Sequence, residues 1–189
     1  MFYTPSDFNF KKAGIYHMKY FVTSNLQLGR PGAIKLYKRP HSSVEEMNED
    51  LIVKWNSVVE PSDVVYHLGN FAWDPKTAQD AITALNGRIF FVLGESDQAL
   101  LTLNKKKMLP SSCQILRDIT RSEHPECQCV FSYWPLTAWE KQSKNWSIIG
   151  YPKKSFKSDP KKRIINASTD LWGNKPQDLD KLIGIFQDF

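Results

Sequence analysis

Three apolar runs in this chain each stop at a short polar cluster: YFVTSN ends at Asn25, VVYHLGN at Asn70, and IFFVLGESD at Glu95, Ser96 and Asp97. Polar side chains at the carboxyl ends of buried strands are where α/β proteins collect ligands and catalytic groups. Gln27 and Arg30 follow the first cluster closely, ahead of a Pro-Gly pair. A hydrolytic or phosphate-handling site would place Asp, His or a glycine-rich cradle at such positions, and here the first two tips carry amides and a guanidinium. Ser96 lies between two carboxylates, but no histidine adjoins it to act as a base for metal-independent catalysis by Glu95, Ser96 and Asp97.

The elements that must position these residues are legible in order. A strand over Tyr20–Val22 leads into a long loop from Leu26 to His41. Ser43 and Glu46 have capping-box spacing, and Val44, Met47, Leu51, Trp55, Val58 and Val59 form one apolar stripe, so a helix follows and Pro61 closes it. A second strand spans Val64–Leu68. Asp74 and Pro75 start a helix with an Ala78, Ala81, Ile82 and Leu85 face, stopped by Gly87, and a third strand spans Ile89–Leu93. This β-α-β-α-β order gives parallel strands whose polar tips converge on one edge. Beyond it, Cys113–Ile119 and Cys127–Ser132 read as antiparallel strands around a turn at Glu123, His124 and Pro125. Trp146–Ile149 and Arg163–Asn166 supply two more strands around a basic loop, and Pro176 opens a terminal helix with an inner face of Leu179, Leu182, Ile183 and Phe186.

With 189 residues and 41% hydrophobic content the chain fits one domain, read as residues 19–189 preceded by an aromatic-rich arm over residues 1–18. The net charge of +5 permits contact with nucleic acid or an acidic protein. Cys113, Cys127 and Cys129 lack C-x-x-C spacing and read as reduced thiols of a cytoplasmic protein. No apolar run is long enough to insert in a membrane, and residues 1–18 are too polar for a signal peptide. Nothing here indicates an oligomeric state.

Taken together, YFVTSN, RPHSSVEEMNEDLIVKWNSVV, DVVYHLGNF, LNGRIFFVLGESD, FSYWPL and INASTDLW resemble, in that order, the calcineurin-like metallophosphoesterases, in particular short bacterial and phage-type members. The resemblance implies a four-layer α/β/β/α sandwich with mixed sheets. It also implies where a dinuclear metal centre would stand, on motifs of the form D-x-H, G-D, G-N-H-D/E, a lone H before Y-P, and G-H-x-H. In this chain the first Asp falls on Asn25 and its His on Gln27, while the bridging Asp falls on Asn70. The Asn ligand falls on Glu95 and the proton-donating His on Ser96; Asp97 is kept. The lone His falls on Tyr133, the paired His on Tyr151 and Lys153, and a further loop His on Arg30.

Two cations about 3.5–4 Å apart require bridging anionic oxygens and neutral imidazoles to activate a water. Neutral amides keep the shape of aspartate without its charge, and a protonated lysine repels a cation. The expectation is therefore a degenerate member, without metal, cofactor or phosphoesterase activity, acting as a protein-binding scaffold of phage origin. Interface anchors would come from the tryptophans Trp73, Trp134, Trp139, Trp146 and Trp172 and from Tyr133. The alternative is a metal-free module for a phosphate-bearing ligand, a nucleotide or RNA, held by Arg30 and Lys153 and extended by Lys105, Lys106 and Lys107 and the basic loop up to Arg163.

Overall fold

The computed structural model describes residues 18–122, 124, 128–152 and 156–187; the greater part of the aromatic arm, and Glu123, Pro125, Cys127 and Lys153, lie outside them. Two mixed sheets form an α/β sandwich. The first has the order β4-β3-β2-β1-β9 and the second β5-β6-β7-β8.

In the first sheet β1 (Tyr20–Thr23), β2 (Val64–Leu68), β3 (Arg88–Val92) and β4 (Cys113–Ile115) run parallel, with Thr23 level with His67 and Phe91. The two-residue β9 (Gln177–Asp178) adds antiparallel to β1. Side chains alternate across this sheet. Phe21, Val65, Ile89 and Phe91 face a helical layer of α1 (Ala33–Tyr37), α2 (Val44–Asn56), α3 (Pro75–Ala84) and α4 (Gln98–Lys105). Val22, Tyr66, Leu68 and Phe90 face the second sheet, where they meet Phe131, Ile148 and Ile165.

The second sheet contains β5 (Ile119–Arg121), β6 (Cys129–Ser132), β7 (Trp146–Ile149) and β8 (Ile164–Asn166), parallel except for β5. Helix α5 (Leu179–Gln187) inserts Leu179, Leu182 and Ile183 into the core between the sheets. Its inner face is the one the sequence predicts, although the helix starts three residues beyond Pro176 because Gln177 and Asp178 pair with β1.

The caps explain why these segments are helical where they are. Ser43 accepts a hydrogen bond from the Glu46 amide at 3.1 Å, and Asp74 accepts one from the Thr77 amide at 3.0 Å, each satisfying an orphan donor of the first turn. The reciprocal half of the capping box is displaced by one residue: the Glu46 carboxylate reaches the Ser42 amide at 2.8 Å.

Three elements differ from the sequence reading. The segment read as one strand from Cys113 to Ile119 breaks at residues 116–118: its first part joins β3 in parallel and its last part joins β6 in the other sheet. The long loop after β1 contains α1, whose Lys38 cap is left-handed. Residues 98–105, to which the sequence pattern assigns no element, form α4, with Ala99, Leu100 and Leu103 buried. Cys113 is a free thiol. Between β6 and β8 the described residues contain no α-helix, only β7, loop and a 3₁₀ turn at Pro160–Lys162. No helix among the described residues is long and apolar enough to cross a membrane.

Candidate functional site at the strand tips

The carboxyl ends of β1, β2, β3, β6 and β7 meet at one end of the sandwich, and two glycines allow it. Gly69 follows β2 with φ +88°, and a Cβ there would stand 2.5 Å from the Tyr133 ring. Gly150 follows β7, and a Cβ there would lie inside the Leu68 carbonyl. Both sheets therefore touch through backbone at this edge, and Ser24 pairs with Ser168 as an isolated parallel bridge between the tips of β1 and β8.

The polar tips turn inward through left-handed backbone at Asn25 (φ 60°), Gln27 (φ 55°) and Asn70 (φ 59°). Asparagine tolerates this region better than most residues, whereas glutamine occupies it at a cost. Backbone hydrogen bonds lock the turns together, Asn25 N–H to Gly69 O at 2.9 Å and Gln27 N–H to Asn70 O at 3.0 Å.

Within that frame the side chains form a closed network. Asn70 Nδ2 donates to Asn25 Oδ1 at 3.0 Å and to the Tyr133 hydroxyl at 2.9 Å. Asn25 Nδ2 donates to the Gly150 carbonyl and to Ser24 Oγ. Asn70 Oδ1 accepts from the Ser96 amide at 3.0 Å, and the Tyr133 hydroxyl donates to Glu95 Oε1 at 3.2 Å. Asn25, Asn70 and Tyr133 are buried, and Glu95 is exposed. Burial pushes the Tyr133 phenol well up from its ordinary value, with the Asn70 hydrogen bond opposing and Glu95 reinforcing the shift, so the ring keeps its proton at neutral pH.

Asp97, the carboxylate retained from the expected motif, is spent on backbone. Its oxygens accept from the amides of Asn70, Phe71 and Gly94, each at 2.7 Å. Burial raises its pKa while these three hydrogen bonds lower it, and burial prevails. Its role is to clamp the β2 and β3 tips together.

Gln27 and Arg30 form a second group beside the first. Gln27 Oε1 accepts from Arg30 Nη1 at 3.0 Å, and Gln27 Nε2 lies 3.3 Å from the Tyr37 hydroxyl. The Arg30 guanidinium lies 5.0 Å from the centre of the half-exposed Trp73 ring. Tyr37 is shifted upward by burial, with Arg30 opposing.

On the far side Tyr151 lies 6.1 Å from Tyr133 and 5.4 Å from Trp134, ring centre to ring centre. Trp134 is 51% exposed, Trp139 is partly buried, and Trp146 and Trp172 pack against Phe186 in the core between the sheets, so only Trp73 and Trp134 remain accessible anchors.

The structure thus brings Asn25, Asn70, Glu95, Ser96, Tyr133 and Tyr151 together, with Gln27 and Arg30 adjacent. Lys153 lies outside the described residues. Sequence reasoning missed Arg39 and Asp170, 131 positions apart, which form a buried pair beneath the first tip. Arg39 Nε and Nη2 donate to the two Asp170 oxygens at 2.9 and 3.1 Å. Its Nη1 and Nη2 also donate to the carbonyls of Leu26 and Asn25, each at 2.7 Å. No local pattern marks Asp170; only the pairing of the β1 and β8 tips places it there.

The donor set does not fit two divalent cations. Asn70 Nδ2 donates its two hydrogens to Asn25 Oδ1 and the Tyr133 hydroxyl and so offers no lone pair to a cation, and the Asp97 carboxylate accepts three amides instead. Among the described residues no group of three His, Cys, Asp or Glu side chains could hold a metal. His41 is engaged by Asp50 at 2.8 Å and His124 by Asp180 at 3.1 Å. His67 lies in the core between Phe71 and Phe91. His17 lies outside the described residues.

An α/β sandwich with a self-bonded amide–tyrosine cluster at its strand tips, flanked by Glu95 and Asp97, is what the fold and site define. No family model matches the chain. An uncharacterized protein of Methanocaldococcus jannaschii is 26% identical over 177 residues, which cover 89% of this chain and 92% of that protein. The crystal structure of a protein of unknown function from Aquifex aeolicus shares the fold at a TM-score of 0.66 with 17% identity, over 89% of this chain and 100% of that one. An archaeal phosphodiesterase aligns over 79% of this chain and 82% of its own at a TM-score of 0.42 with 17% identity, a likeness too slight to weigh.

Proposed function

We propose that this chain is a non-catalytic, metallophosphoesterase-like protein whose strand-tip end serves as a docking surface for a protein partner. The observation that carries the reading is the amide pair: Asn70 Nδ2 is hydrogen-bonded to Asn25 Oδ1 and to Tyr133 where a bridging aspartate would hold two cations. A neutral amide satisfied by its neighbours has neither the charge to bind metal nor a lone pair aimed at water. The accessible rings flanking the cluster, Trp73 at 52% and Trp134 at 51% exposure, are of the type that anchors interfaces.

Manganese titration followed by calorimetry, with hydrolysis of bis-p-nitrophenyl phosphate measured in parallel, tests the first half. Neither saturable binding at two equivalents nor turnover is expected, and finding both would overturn the reading. The docking half predicts that a partner captured by the native protein is lost on Trp73→Ala with Trp134→Ala. A second reading, a metal-free site for a phosphate-bearing ligand, is supported by Arg30, held by Gln27 and Trp73 beside the network. Inorganic phosphate protecting the fold against heat, and failing to do so in Arg30→Glu, would favour it over protein docking.

A further inference from the structure

We infer that the end of the sandwich opposite the strand tips binds nucleic acid through its phosphate backbone. Contacts at the tips align the two sheets: Tyr133 meets Asn70, Gly150 meets Leu68, and Ser24 pairs with Ser168. The turns that lead into the parallel strands must therefore all lie at the other end. Into three of those turns the sequence places lysine after lysine, whereas the turn into β2 carries Glu60 and Asp63. Lys141 and Lys144 precede β7, Lys161, Lys162 and Arg163 precede β8, and residues 105–107, all lysine, close α4 ahead of β4.

These lysines are exposed, and their turns are held in place. Arg163 Nη2 donates to the Lys144 carbonyl at 2.8 Å, and its guanidinium lies 4.5 Å from the centre of the Trp146 ring. The Ser147 amide donates to the Arg163 carbonyl at 2.9 Å. Two basic turns on neighbouring strands, about 4.8 Å apart, are thereby fixed side by side. Compensation is partial: Asp159 lies 3.5 Å from Lys162, and Glu140 pairs with Arg121. Lys141, Lys144 and Lys161 have no carboxylate at ion-pairing distance among the described residues.

A row of ammonium groups on rigid turns suits a polymer of regularly spaced phosphates, which lysine meets as point charges. A lipid surface fits less well, because no large apolar side chain is exposed among the described residues between Lys141 and Arg163, and beside Lys105–Lys107 the exposed one is Met108. This inference does not depend on the reading of the strand tips.

The test is fluorescence anisotropy with a labelled 20-base-pair DNA duplex and a single-stranded RNA of equal length, from 50 to 300 mM salt. Binding in the micromolar range is expected, with a log–log salt slope on duplex of about −2.7 to −3.6 for three to four neutralised phosphates. K144E/K161E/K162E should weaken it at least tenfold. K35E/K38E/K76E, with the same change in net charge at the tip end, should not. All six side chains are exposed, and thermal melts will verify that both triple variants fold; should one fail, K144E and K161E singly against K35E give the same comparison. No binding at 50 mM salt, equal loss in both triple variants, or tighter binding to phosphatidylserine vesicles or polyglutamate than to nucleic acid would each overturn the inference.

Discussion

Asn70 Nδ2 and Asn25 Oδ1 meet at 3.0 Å, joining the tips of two parallel strands by an uncharged hydrogen bond where two carboxylates would repel. Each amide has its remaining groups satisfied nearby, by Tyr133, Ser96, Ser24 and Gly150. The pair stabilises a backbone that is left-handed on both sides. The amides are thus part of the scaffold and not merely the absence of something else.

Asn70→Asp tests this directly. The new carboxylate would face Asn25 Oδ1 with no donor between them and lose solvation, so stability at pH 7 should fall by about 2–4 kcal/mol in urea denaturation. An acid introduced at this buried point has its folded pKa raised. The protonated form is the tolerated one, so the deficit relative to the wild-type protein should be smallest below about pH 4 and grow as pH rises through the raised value. A deficit independent of pH would mean that charge is not the cause.

Arg39→Met probes the buried pair beneath the first tip. It leaves the Asp170 carboxylate without its counter-ion and two carbonyls without donors, a loss of about 3–5 kcal/mol. Adding Asp170→Leu should recover a large part of it, because the uncompensated charge is then gone. Equilibrium unfolding of both single variants and the double variant gives the coupling; strict additivity would show that the residues act separately.

His67 makes stability depend on acid. Its ring is buried between Phe71 and Phe91, and neither ring nitrogen has a hydrogen-bond partner. Burial alone lowers its pKa from 6.5 to about 3. Between those values the unfolded chain binds a proton that the folded chain refuses, so stability is full above about pH 6.5 and falls as pH drops toward 3. The loss from this residue should reach at most about 5 kcal/mol, the equivalent of the whole shift. His67→Phe should flatten the acid limb of the stability profile between pH 4 and 6; an unchanged limb would assign it to other groups.

The local reading of the chain succeeded where one segment decides its own structure. The stripe from Met47 to Val59 and the Ser43 cap define α2, and the β1, β2 and β3 runs fall within a residue of their expected limits, because periodicity and capping are local properties. It failed for α4, whose eight residues begin at a strand tip without a side-chain cap, and for Cys113–Ile119, where a continuous polar–apolar pattern hides a change of sheet.

What the sequence determined by itself is chemical: amides at positions 25 and 70, carboxylates at 95 and 97, and lysines at 141, 144, 161 and 162. It could not determine what those groups do to one another. Only the tertiary structure turned Asp97 onto three amides, closed the Asn25, Asn70 and Tyr133 network, set Arg39 against Asp170, and sorted the basic turns to the end remote from Arg30. Apart from the Gly94 amide on Asp97, these contacts join residues 26 to 131 positions apart, and their geometry follows from strand order and glycine approach, which no local pattern encodes.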